Sequence, residues 1–442
     1  MVGKIESNPQ LNVFRTPLVN IINMNHELVE LAHRIDWKSV EKDFGIYYSE
    51  TGRPAVPLRK MIGSMLLKQM YGLSDEAFVA RWVENPYWQY FCGETYFQYE
   101  KPFDPSEFVH FRNRIGGLGA EKLLKLSISL FEAEEVNEKE VLIDTTVQEK
   151  NITFPTDTKM HKKIIDGCKK ISEKENIKLR QSYKRTVSQL MIDQRFREHP
   201  RRRKKAMAAA RKLKTIAGRL LRDVERGLDD IDRLDAYDEQ LWLYYRVLGQ
   251  KRDSKDKLYS FHAPEVNCIS KGKEHKKYEF GNKSGIVLTK NSGIIVGALA
   301  FEGNPYDGHT LVPQLEQVEE LLGRLPKTAL VDRGYKWKDE VMGIKIRIPG
   351  TGKGNSSYQK SKDRARFRRR ASIEPMIGHL KSDYRMIRNY LKGTEGDMIN
   401  TIMAATAFNM MKKLRKIRET ILFVLDQIDW YLIKKYLTPA TY

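Results

Sequence analysis

The sequence predicts an α/β protein: a mixed sheet flanked by helices, preceded by a helical amino-terminal region and interrupted by a long helical insertion. Three observations carry this. Short β-branched, apolar runs stand at residues 141–146, 284–290, 293–301, 328–332 and 344–349. A helical pattern at about 310–323 lies between the third and fourth of them. Residues 160–250 are mostly charged, helix-forming sequence, and a stretch of that length is expected to hold two long helices rather than a loop. Strands mixed with helices argue for an α/β or α+β core.

The elements follow in order. From Pro57 to Gly72, Leu58, Ile62, Met65, Leu66 and Met70 recur at helical spacing, and Gly72 sits at a helix stop. Ser74 caps a second helix, with Asp75 and Glu76 where the helix dipole favours acids and Phe78, Trp82 and Val83 as its apolar stripe. A third starts at Ser106, with Phe108, Phe111 and Ile115 facing in and Arg112 and Arg114 facing out. This set permits a helix-turn-helix, and equally a plain three-helix bundle. The boundaries expected are a helical DNA-binding or dimerisation domain over 1–136, an α/β core in two parts (137–155 and 256–396), the basic insertion (156–255) and a terminal helical pair (397–442). In the last, Ile399, Ile402, Met403, Ala407 and Met410 pack inwards, followed by the basic patch Lys412, Lys413, Arg415, Lys416 and Arg418.

The chain has 442 residues, with 78 Lys and Arg against 57 Asp and Glu, a formal charge of +21 that asks for a polyanionic partner. A hydrophobic content of 41% excludes a disordered basic tail. The densest basic run lies in the insertion: Arg195, Arg197, Arg201, Arg202, Arg203, Lys204, Lys205, Arg211, Lys212, Lys214, Arg219 and Arg222. Its nearly single sign favours phosphate contact over a merely solvated face, because each neutralised phosphate releases counterions. Cys92, Cys168 and Cys268 form neither a CxxC zinc pair nor a secreted disulfide framework. Residues 1–10 lack a leader pattern, and no run approaches the roughly 20 apolar residues that cross a bilayer. A cytoplasmic protein with no membrane partner is expected.

Three acids stand in unusual settings: Asp144 inside the run Val141-Leu142-Ile143-Asp144-Thr145-Thr146, Asp332 at the end of Ala329-Leu330-Val331, and Glu374 amid arginines. A charged acid in a half-buried strand must be paired, hydrogen-bonded or bound to metal. Singly each reads as a paired structural acid; together, in a basic protein, they point to one site gathering hard cations. Two Mg²⁺ ions about 4 Å apart activate a hydroxyl and stabilise the leaving oxygen of a phosphodiester displacement. If the chain is helical through 370–381, Arg370, Glu374 and Lys381 share a face. Pro375 opposes that, because the residue before proline avoids α geometry; a helix starting at about 372–374 would break the Arg370 alignment.

The chain resembles bacterial insertion-sequence transposases of the DDE type, in the "insertion sequence five" group of the "insertion sequence four-like" superfamily. The family spaces Tyr, Arg, Glu and Lys as Phe367, Arg370, Glu374 and Lys381 are spaced here, so Phe for Tyr is the one departure and only the phenol's role is lost. Its Asp-x-Gly-Tyr block stands as Asp332-Arg333-Gly334-Tyr335, and its first acid as Asp144. Pro57–Gly93 is similar to the InsH-type amino-terminal domain. Phe261-His262-Ala263-Pro264-Glu265, Lys271-Gly272-Lys273, Tyr278-Glu279-Phe280-Gly281 and Asn304-Pro305-Tyr306-Asp307-Gly308-His309-Thr310 extend the likeness over about residues 20–415. The resemblance implies an RNase H-like core with Asp144 on the first strand, Asp332 at the fourth and Glu374 on a following helix. It implies Asp144, Asp332 and Glu374 as catalytic acids holding two Mg²⁺ (or Mn²⁺) ions. It further implies binding to terminal inverted repeats and target DNA, cleavage and strand transfer, a homodimer or larger synaptic assembly, and a bacterial, nucleoid-associated location. Arg370, Lys381, Tyr335 and Arg201–Lys205 are the expected DNA contacts. The alternative is a non-catalytic DNA-binding regulator derived from a transposase.

Other signals carry less. The run Gly350-Thr351-Gly352-Lys353-Gly354 fails as a Walker loop, because Arg347 and Gly354 occupy the positions that require Gly and Ser or Thr. Asp307 and His309 read as a turn followed by a helix cap rather than as ligands. His262, His275 and His379 lack zinc spacing. The cluster Tyr87, Trp88, Tyr90 and Phe91 reads as core before it reads as a base-stacking surface.

Overall fold

Short polar side chains, Asp36, Ser74 and Asn85, cap three of the amino-terminal helices. The computed structural model describes residues 3, 15–49, 51–52, 54–228, 231–251, 253–270, 276–336, 339–350 and 356–437. The block 271–273, His275 and residues 351–354 of the glycine-rich run lie outside the described residues, as does all of 1–10 but Gly3. Helices α1 (Glu27–Arg34), α2 (Trp37–Gly45), α3 (Leu58–Met70), α4 (Asp75–Trp82) and α5 (Pro86–Phe91) open the chain. They are followed by α6 (Ser106–Ser129) and α7 (Ala133–Val136). Asp36 and Ser74 cap α2 and α4 by accepting from the amides of Ser39 and Ala77. Gly116, at φ +58, kinks α6, a conformation that a residue with a Cβ resists.

The chain then forms β1 (Glu140–Glu149), α8 (Asp157–Lys174), α9 (Lys184–Asp193), α10 (Arg203–Gly227), α11 (Ile231–Asp235) and α12 (Asp238–Gly249). Next come β2 (Asn267–Ser270), β3 (Tyr278–Thr289), β4 (Ile295–Phe301), α13 (Leu311–Leu322) and β5 (Thr328–Leu330). It ends with β6 (Glu340–Val341), β7 (Ile344–Arg347), α14 (Ser357–Arg370), α15 (Ile373–Ser382) and α16 (Gly393–Leu437). The insertion therefore carries several helices where two were expected, and one continuous helix, α16, stands where a terminal pair was expected. No glycine or proline interrupts the sequence after Gly396 within α16, so nothing stops the helix.

Two units can be distinguished: residues 1–148 with 283–442, and residues 149–282. In the first, the sheet runs β4-β3-β1-β5-β7-β6. β1, β5 and β7 pair in parallel, while β3–β4 and β6–β7 pair antiparallel. This mixed sheet with its helices is the α/β, RNase H-like architecture the sequence predicts. The open edge of β4 is satisfied by side chains. Gln317 of α13 bonds both backbone groups of Ala298, and Asn409 of α16 both of Ile295, which blunts that edge against pairing with another chain. One continuous apolar core joins the amino-terminal helices, the sheet and α16. The Trp88 and Phe91 rings belong to it, with Trp88 stacked on Phe78. The basic patch of α16 is partly tied down: Lys416 pairs with Glu135 and Arg418 with Glu27, and Lys413 is buried over Phe131. The second unit has its own core, in which α10 turns Leu213, Ile216, Leu220 and Val224 inwards against α8 and α12.

Arg112 corrects an expectation. It faces inwards, 6% exposed, because Asp75 accepts two bonds from its guanidinium at 3.1 and 2.7 Å. Lys68 lies 2.8 Å from the same carboxylate. Burial alone would raise the Asp75 pKa, but the Arg112 bonds and the Lys68 charge outweigh it and hold the group below 3.8. The stabilisation is therefore present above the unfolded value and is lost as pH falls through the lower folded one. Asp75→Asn is expected to lower stability at neutral pH by roughly 1–3 kcal/mol. In urea unfolding from about pH 4 to 2, its stability should fall less steeply than that of the wild type.

Candidate active site

Parallel pairing brings the first two acids together. Leu142 of β1 faces Leu330 of β5, and two residues beyond each stand Asp144 and Asp332. Neighbouring strands lie about 4.8 Å apart, so matched register positions put both carboxylates at one end of the sheet. Asp144 Oδ1 accepts from the Thr145 amide at 2.9 Å, and its Oδ2 lies 3.3 Å from Arg370 Nη2. Asp332 Oδ1 accepts from the Gly334 amide at 2.7 Å and caps a 3-10 turn over Arg333–Tyr335.

A third acid, Asp307, joins them. Its backbone lies in the turn that precedes α13, as the sequence predicts, but its side chain is tied into the site. Asp307 Oδ1 accepts from Thr145 Oγ1 at 2.7 Å and from Lys283 Nζ at 2.9 Å. Lys283 also donates to the Pro305 carbonyl at 2.6 Å. A Cβ on Gly334 would stand 2.9 Å from both Asp307 Oδ2 and Asp332 Oδ1, which explains the glycine between Asp332 and Tyr335. The signal for Asp307 was its place in a loop leaving a strand, as Asp332 leaves β5; the turn residues around it masked that signal.

Tyr335 is fully buried. Burial holds its phenol well above 10, and the charges of Asp144, Asp307 and Asp332 add to the rise. It is thus part of the core beneath the acids, which corrects the expectation that it touches DNA.

Glu374 stands apart from this group. α14 ends at Arg370 and α15 starts at Ile373, with Pro375 tolerated in the first turn. The interruption at Ala371 and Ser372 removes the single helical face shared by Arg370, Glu374 and Lys381. Arg370 turns to Asp144, Glu374 is exposed on the first turn of α15, and Lys381 is half-buried on its last. Among the described residues, no three His, Cys, Asp or Glu converge closely enough to hold one ion. Asp144 and Asp332 nevertheless fit a hard divalent cation in their donor chemistry, since both offer carboxylate oxygen. The Arg370 guanidinium already places positive charge against one of them. Phe367 packs against the core, consistent with a ring that has lost only its hydroxyl. In the second unit, Arg201–Lys205 are exposed at the start of α10, with Arg202 over the Phe196 ring and Lys205 3.0 Å from Asp193.

Residues 252–410 match the family described as "Transposase DDE domain", and residues 17–114 match "Transposase domain (DUF772)". An uncharacterized protein, ORF8 in the nfe locus of Rhizobium meliloti, is 41% identical over 199 residues, 44% of this chain and 96% of that protein. The chain belongs to the DDE transposases. No solved structure matches it. The matched DDE segment contains Asp332, Glu374, Arg370 and Lys381, whereas Asp144 lies before it. Membership makes this transposase a DNA-binding enzyme of the nuclease and transposase class. Among the described residues, no helix is long and apolar enough to cross a membrane.

Because Gly334 separates two carboxylates with no room for a methyl group, Gly334→Ala is expected to displace Asp332 and cut DNA cleavage roughly 100-fold. A gel-based nicking assay, with circular dichroism confirming the fold, checks this.

Proposed function

We propose that this transposase binds the terminal inverted repeats of its own insertion sequence, cuts there and joins the freed 3′ end to target DNA. The observation that carries this reading is that the parallel register of β1 and β5 leads to Asp144 and Asp332, each two residues beyond the Leu142–Leu330 pair, inside a family whose domain is built for this reaction. Asp144, Asp332 and Glu374 are the residues that would hold magnesium or manganese. Two such ions, when bound, supply Lewis acidity for the attacking and leaving oxygens of the phosphodiester.

The protein's own groups do the rest. Lys283 and Thr145 fix Asp307, and the Gly334 amide holds the Asp332 carboxylate. Arg370 neutralises Asp144 in the DNA-free protein, and its buried Nε has no hydrogen-bond partner. That spare donor suits a phosphate oxygen, so Arg370 would exchange its carboxylate for the DNA backbone when DNA binds. Glu374, on the first turn of α15, completes the acid set from a separate element. Lys381 faces the same strand of DNA from the far end of α15. The exposed run Arg201–Lys205 contacts phosphates outside the cleavage site, and two copies of the chain hold the two ends.

The test is a cleavage and joining assay with Mg²⁺, and then Ca²⁺, on labelled duplex carrying the DNA that flanks this chain's own gene. Wild type is expected to nick and join at the ends. Asp144→Asn and Glu374→Gln should lose both steps by orders of magnitude while their DNA affinity is unchanged or slightly raised, since each loses a negative charge near phosphate. Tight binding by wild type without metal-dependent cutting would replace this reading with that of a DNA-binding regulator. Cutting without joining would leave a nuclease.

A further inference from the structure

Away from the acids, the first unit contains a cleft of about 490 Å³ between α3, α4, α6, α16 and the segment 385–391 that follows α15. Its charge is unbalanced. Lys68, Arg112, Arg385 and Arg388 line it against two acids, Asp75 and Glu76. Asp75 alone serves both Lys68 and Arg112. Burial pushes the Lys68 ammonium down to about 8 despite Asp75, and Arg112 and Arg385 add to the fall. Excess positive charge at a partly desolvated place is costly until an anion enters it.

The walls say which anion. The floor is apolar, made by Met65, Ile399 and Met403. At the mouth, Tyr390 is 61% exposed with the Arg385 guanidinium 5.5 Å from its ring centroid, while Arg388 is exposed. Arg385 is held in the left-handed region, at φ +62, with its Nη1 donating to the Gly72 carbonyl at 3.3 Å. A non-glycine residue in that conformation persists only where its surroundings fix it, so the rim is a set position rather than a loose turn. Cations beside an aromatic face and an apolar floor suit a phosphate carrying a flat base.

We propose that this cleft seats one nucleotide of the bound DNA strand away from the cleaved bond, with its phosphate on Arg388 and Arg385 and its base against Tyr390 and the apolar side chains. The assignment rests on the DNA-cleaving function above and adds a subsite linking the amino-terminal helices to the helix that carries Glu374.

Fluorescence anisotropy in Ca²⁺, using full-length protein and the flanking duplex, tests it. A neutral methylphosphonate linkage is moved one position at a time along the strand. Wild type should lose about tenfold in affinity at one linkage and little at the others, as expected for a lost charge-assisted bond. Arg388→Ala should lose a similar amount, become insensitive to that linkage alone, and show a log–log salt slope reduced by about one. Tyr390→Ala should weaken binding without changing the salt slope, and Arg388→Lys should recover part of the loss. Unchanged affinity in Arg388→Ala, or a response spread evenly over all linkages, overturns the subsite while normal cutting by wild type keeps the function intact. Failure of wild type to bind or cut the duplex overturns both.

Discussion

Two carboxylates brought to one place by the parallel register of β1 and β5, Asp144 on β1 and Asp332 just past the end of β5, are like charges, and the groups around them answer that charge. The β1–β5 register that leads to both acids also aligns the buried Val141, Leu142, Ala329 and Leu330. The charge of Asp144 and Asp332 is answered in place. The answers come from separate elements: the Thr145 and Gly334 amides, Arg370 at the end of α14, and the Lys283 ammonium through Asp307. Each contributes a donor or a cation at short range in partly desolvated surroundings, where such bonds are strongest.

This arrangement explains why the site is built from so many parts of the chain. β1 supplies one acid, the exit from β5 another, the turn before α13 a third, and β3 the lysine that holds it. Arginines of α14 extend the same logic along β1, with Arg366 paired to Glu140 at 3.1 Å as Arg370 is to Asp144. A helix with three arginines in its last turn is also stabilised by its own dipole, which favours cations there. Folding and electrostatic preparation of the site are therefore one process.

Much of this was legible in the sequence, and what was not has a physical reason. The strands bearing Asp144 and Asp332 were readable because an acid inside an apolar, β-branched run has few explanations. The helices at Leu58–Met70 and Asp75–Trp82 were readable from their caps and stripes. Arg112 was not, because its inward turn depends on Asp75, a contact between helices that no local period encodes. Asp307 was hidden by turn residues that account for its backbone but not its side chain. The separation of Arg370 from Glu374 turned on Pro375, where two local readings were open and only the packed chain chooses between them.

The insertion offers a different consequence. Residues 149–282 leave the first unit from the end of β1 and re-enter it through β3, its neighbour in the sheet. Inside that excursion the two ends stay close, with the Lys150 amide donating to the Phe280 carbonyl at 3.0 Å. A segment whose ends are pinned side by side, and which owns a separate apolar core, adds little closure entropy when it grows or shrinks. Such a segment can change its length or its basic surface at little cost to the register of β1 and β5, so its charge and the site's chemistry are set by separate parts of the chain.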